Sequence, residues 1–146
     1  MALVNLRHTL HRSALVAALL LPLSLLADVL VVTGANSPSI TLSKNQVSDA
    51  FLGKVATLPD GSNVVLIDQP EANPLRDEFY LKVANKSAAQ AKAHWAKLYF
   101  TGRGAPPREG TDSGDIKKIL NSTTGAIGYI ERSSLDSSVK VVFVVQ

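Results

Sequence analysis

Apolar residues in this chain come in two patterns, short unbroken runs and stripes spaced three or four residues apart. Val29-Leu30-Val31-Val32 is an unbroken run, as expected of a strand buried on both faces. Thr33 to Pro38 then reads as a loop. Ser43-Lys44-Asn45-Gln46 fits a capping box, in which the Ser43 and Gln46 side chains satisfy each other's end of a helix. Val47, Ala50 and Phe51 fall on one stripe of that helix, and Gly53 stands where a left-handed C-cap is wanted. Leu58 to Ser62 is a turn, and Val64 to Ile67 reads as a second buried strand.

Asp68 to Asn73 is a polar connection. Asn73-Pro74 then opens a helix with an N-cap side chain and proline at the first helical position. Asp77 and Glu78 complement the helix dipole, and Leu75, Phe79 and Val83 form the buried stripe. Ser87 to Gln90 is a second capping box, starting a helix that runs to about Phe100. Ala91, Trp95 and Leu98 face its core, whereas Gln90, His94 and Lys97 share another side, with His94 expected in solvent. Thr101 to Gly110 reads as a loop. Asp112 or Ser113 caps a further helix that buries Ile116, Ile119 and Leu120, and Gly125 to Ile130 and Val139 to Val145 close the chain as strands. Strands and helices alternate and the strands lack period-two alternation. This predicts an α/β fold with a mostly parallel or mixed sheet flanked by helices.

The first 27 residues have a different character. Arg7, His8, His11 and Arg12 precede the apolar stretch Ala14 to Ala27, and no acid occurs before Asp28. Basic, apolar and small-residue regions in that order predict a secretory signal cleaved after Ala27. The stretch is shorter than the roughly 20 residues a membrane-spanning helix needs. A single domain, residues 28–146, and a periplasmic location are therefore expected. Without Arg7 and Arg12 the 15 basic residues are nearly balanced by the 12 acids, so the chain's basicity is largely a targeting feature. No basic run suggests nucleic acid as a partner. Lack of cysteine excludes thiol catalysis and thiolate metal sites.

The sequence offers no nucleophile–base pair, so no enzyme, metal or cofactor is expected. Anion binding is easier to motivate, because helix N-termini that follow strands present free N–H groups and a positive dipole end. Three loops qualify: Gly34 to Ser43, Asp68 to Arg76 and Thr111 to Gly114. The middle one adds Gln69, Asn73 and Arg76, a donor set suited to a small oxyanion. The competing reading of these residues is structural: Asn73 caps its helix and Arg76 pairs with Glu71 or Glu78.

The segments Leu42 to Lys54, Pro59-Asp60-Gly61 followed by Val64 to Ile67, and Thr124-Gly125-Ala126-Ile127-Gly128-Tyr129-Ile130 together resemble one lobe of the phosphate-type periplasmic substrate-binding proteins of ABC transporters. His94-Trp95 and Phe100 to Pro107 look like a compact, single-lobe subgroup of that family. The resemblance implies a type II binding-protein lobe, a phosphate-like ligand, and an ABC permease or other envelope protein as partner, with a homodimer as one way to complete the cleft. The full-length family carries an Arg-Ser-Asp-Gly-Ser-Gly-Thr-like ligand loop. Here that stretch is Asp68 to Arg76, with no hydroxyl, two prolines and two acids, so the family's phosphate residues do not carry over. A periplasmic interaction or sensory accessory domain that has lost the transport ligand is the alternative.

Overall fold

The structure is a computed structural model that describes residues 28–146. The expected signal sequence lies outside the described residues. Strand β1 (Val29–Gly34) is the unbroken apolar run, and all six of its residues are buried. Helix α1 (Lys44–Phe51) starts at the Ser43/Gln46 capping box. Strand β2 (Val65–Asp68) leads to helix α2 (Pro74–Ala84), capped by Asn73, and to helix α3 (Ala88–Phe100), which begins at the Ser87/Gln90 box. A two-residue strand β3 (Arg108–Glu109), helix α4 (Ser113–Ser122) capped by Asp112, strand β4 (Ala126–Glu131) and strand β5 (Val139–Val145) complete the domain.

The five strands form one mixed sheet in the order β3-β2-β4-β1-β5. β2 runs parallel to β3 and β4, whereas β1 runs antiparallel to both β4 and β5. An apolar run shows that a strand is buried and says nothing about its direction. The sequence therefore left parallel and mixed sheets open. β3 departs from expectation, because Thr101 to Gly110 reads as loop and contains two paired residues. Pairing there comes from the neighbouring β2, since Arg108-Glu109 has no apolar signal of its own. β2 likewise extends one residue further than its apolar run, to Asp68.

Apolar residues of β1 divide between the two faces. Val29 and Val31 join Phe51, Phe79, Tyr80 and Tyr129 under α1 and α2, while Leu30 and Val32 pack with Ile116, Ile119 and Leu120 of α4. Helix α3 sits outside α2 and holds the end of α1. Trp95 donates its Nε1–H to the Phe51 carbonyl at 3.0 Å, and the His94 ring contacts the Leu52 carbonyl at 2.7 Å. That carbonyl can only accept, so His94 Nε2 carries the proton. His94 is thus a capping residue rather than the solvated one expected from its helix face. Gly53 follows at φ 70°, and a Cβ there would lie 2.7 Å from the Trp95 ring.

Gly125 joins two elements of the sheet. Its φ is 76°, its carbonyl accepts from Val65 N–H at 3.0 Å, and a Cβ would lie 2.3 Å from the Asn63 carbonyl oxygen. Gly125→Ala is expected to destabilise the fold by more than about 1 kcal/mol, because both the conformation and the space are closed to a side chain. Urea denaturation checks this, and an unchanged midpoint would contradict it.

Candidate functional site

Three parallel strands end side by side, at Glu109 of β3, Asp68 of β2 and Glu131 of β4. The N-termini of α2 and α4 open onto the same edge, where ligands dock in open α/β sheets. Both helix ends are capped from within. Asn73 Oδ1 accepts from Leu75 N–H at 3.0 Å, and Asp112 Oδ1 accepts from Asp115 N–H at 2.8 Å.

The structure brings Gln69, Asn73 and Arg76 together, and their polar groups face inward. Gln69 is fully buried. Its amide donates to Ser113 Oγ at 3.1 Å and to the Tyr129 carbonyl at 2.9 Å, and its Oε1 accepts from Asn73 Nδ2 at 3.1 Å. Ser113 in turn donates to Glu131 at 2.5 Å. Gln69 therefore ties the loop after β2 to the start of α4 and the end of β4. The Arg76 side chain is only 8% exposed. Its Nη1 donates to the Gln69 carbonyl at 3.2 Å and to Glu109 at 2.6 Å, and its Nε lies 3.5 Å from Asp68 Oδ2 without a hydrogen bond. Neither acid that local spacing proposes for Arg76 is its partner. Glu71 pairs with Lys92 at 2.7 Å and Glu78 with Lys82 at 2.8 Å.

Asp68 is the centre of the site, a role the sequence did not reveal. Its carboxylate accepts from the hydroxyl of Tyr129, from Tyr80 Oη at 2.8 Å and from Gln69 N–H at 2.9 Å, with the Arg76 guanidinium alongside. Burial raises the Asp68 carboxyl above its ordinary value, opposed by the Tyr129 hydrogen bond, the Arg76 charge and the Tyr80 hydrogen bond. Burial also raises both tyrosines, reinforced by the Asp68 charge, so they remain protonated donors. Glu131 behaves oppositely. Its burial would raise it, but the Ser113 and Ser134 hydroxyls together hold it below the usual carboxylate range.

Tyr129 lies in the apolar run Gly125 to Ile130 and reads as part of a buried strand, whereas Tyr80 falls outside the Leu75, Phe79 and Val83 stripe. Their hydroxyls were the available signal, since a buried phenol needs a partner. Finding that partner requires the fold. Next to Arg76 and Glu109 an open cleft of about 410 Å³ runs between α3 and Pro106-Pro107, with Trp95, Tyr99 and Phe100 on its wall. Tyr99 is 61% and Phe100 85% exposed. Among the described residues no group of three or more His, Asp or Glu could hold a metal ion, and no helix is long and apolar enough to cross a membrane.

No protein-family model matches the sequence, and no curated protein matches it. Solved structures do match in three dimensions. A protein assigned as a phosphate ABC transporter substrate-binding protein from Clostridium perfringens, solved with bound phosphate, superposes with a TM-score of 0.64 at 23% identity, over 80% of this chain and 44% of the other. An ABC-type phosphate transport receptor from Vibrio cholerae gives 0.62 at 17% identity, over 80% and 45%. PstS from Borrelia burgdorferi gives 0.60 at 10% identity, over 80% and 46%. This chain spans less than half the length of each of those proteins. By its architecture, the domain has the fold of one lobe of the phosphate-type ABC transporter substrate-binding proteins.

Proposed function

We propose that this chain is a secreted, non-enzymatic binding module of the periplasm that acts by docking a protein partner of the envelope and does not capture free phosphate. The observation that carries this reading is the state of Arg76. The loop's one guanidinium already faces two carboxylates, Asp68 and Glu109. A third anion would meet repulsion, and the Gln69 and Asn73 side-chain amides are turned inward. A single lobe would also leave a captured anion exposed to water, where its hydrogen bonds contribute little. Support for a protein partner comes from the exposed Tyr99-Phe100 pair beside the cleft, since aromatic residues are enriched in the cores of protein interfaces. Residues 1–27 as a cleaved signal would deliver the domain to that compartment.

The second reading is a small oxyanion held by Gln69, Asn73 and Arg76 for uptake through an ABC permease, with a second copy completing the cleft. One observation favours it: Arg76 Nε is buried without a hydrogen-bond partner. Thermal melts of the domain in phosphate and sulfate, matched in ionic strength to chloride, separate the two. No specific rise in melting temperature is expected. Submicromolar phosphate binding by the monomer in calorimetry would overturn the docking reading. If a binding signal were found and Arg76→Ala left it untouched, the three residues would not be its site.

A further inference from the structure

The donors around Asp68 form a site in their own right. Two phenol hydroxyls and one backbone N–H donate to a single two-oxygen anion within the folded domain, and one guanidinium lies alongside it as counter-charge without a hydrogen bond. They come from four places: the loop after β2, the second turn of α2, the first turn of α2 and the middle of β4. Such convergence on a carboxylate is how a protein binds a small oxyanion. Here the anion belongs to the chain.

We infer that the cage formed by Tyr80, Tyr129, Gln69 N–H and Arg76 is a receptor for a small carboxylate, which the chain occupies with its own Asp68 side chain. A covalently supplied ligand binds intramolecularly, so an external anion competes with it at a disadvantage. The folded module therefore holds its own carboxylate in the cage. The inference stands on the geometry of the cage and not on the identity of any partner, so it can fail while the docking reading survives, and the reverse.

The size of the cage sets the ligand class. Asp68→Ala removes one carboxylate group and leaves room for formate, whereas Asp68→Gly leaves room for acetate. Tetrahedral phosphate is larger than the space vacated in either. Asp68→Asn keeps the volume and adds two N–H donors where donors already converge, so it leaves no room for an anion.

The test is urea denaturation and thermal melting of the mature domain and these variants in sodium formate, acetate or phosphate against chloride at equal ionic strength. Formate at about ten times its Kd is expected to shift the folding equilibrium of Asp68→Ala about tenfold towards the native state. Acetate should do the same for Asp68→Gly, and neither should act on the wild-type chain or Asp68→Asn beyond its effect as a salt. Adding Tyr129→Phe to Asp68→Ala should weaken the formate response. An Asp68→Ala protein that folds and ignores formate, or stays unfolded at saturating formate, overturns the inference. So does a formate response of equal size in the wild-type chain.

Discussion

Replacing Arg76 with methionine is expected to destabilise the domain by about 3–5 kcal/mol at neutral pH, the usual cost of leaving one member of a buried ion pair without its partner. Methionine keeps an apolar stem, so the loss reports the guanidinium and not the packing. Asp68, at 1% side-chain exposure, would retain two phenol hydroxyls and one N–H but no counter-charge. Glu109 is half exposed and can turn to water. A domain of this size has only about 5–15 kcal/mol of stability in all, so the variant should be close to its folding limit.

The pH dependence of that loss has a definite sign. Burial raises the folded-state pKa of Asp68 above the unfolded value of 3.8, so between the two values the native state binds more protons than the unfolded state. In that window stability from this group falls as pH rises and increases as pH falls. Removing Arg76 removes a charge that lowers the pKa, which widens the window upwards. The Arg76→Met deficit should therefore be largest near pH 7 and shrink as pH is lowered towards the unfolded value, as Asp68 takes up a proton and no longer needs a cation. Urea denaturation of both proteins across that range measures it. A deficit below about 1 kcal/mol at pH 7, or one that grows on acidification, would show that the tyrosines alone hold the carboxylate.

Phe79→Ala should cost a similar amount, about 3–5 kcal/mol, through loss of transfer energy and the cavity left behind. Phe79 is fully buried, stacked on Tyr129 at a ring separation of 3.8 Å and packed edge-on to Phe51 at 4.8 Å. The stack also orients the Tyr129 hydroxyl towards Asp68, so the core and the polar site should be coupled. A double-mutant cycle of Phe79→Ala with Tyr129→Phe is expected to show an interaction of about 0.5–3 kcal/mol. Additive losses would mean that the ring stack has no part in placing the hydroxyl.

Much of the domain was legible before folding was considered. The Ser43/Gln46 and Ser87/Gln90 boxes, the Asn73-Pro74 start and the left-handed Gly53 each depend on groups within four residues, and each occurs as read. The buried stripes of α1, α2 and α4 follow from helical spacing in the same way. Arg76 could be singled out by residue type, but not its partners. Glu109 is 33 residues away, while the nearer acids Glu71 and Glu78 turn to lysines. His94 looked solvated because its partner, the Leu52 carbonyl, lies 42 residues away.

The sequence by itself therefore determined where the helices start, where the apolar centres of the four longer strands lie, and that the chain is α/β, because caps and apolar spacing are local interactions. Tertiary structure alone decided the strand order, the antiparallel direction of β1, and the two-residue strand β3 that presents Glu109. It also decided the meaning of Asp68. As a sequence position it is an acid where an anion-binding loop should not have one. Folding sets it against Tyr80, twelve residues away, and Tyr129, sixty-one away. Low dielectric and converging donors there make the acid an anion already bound.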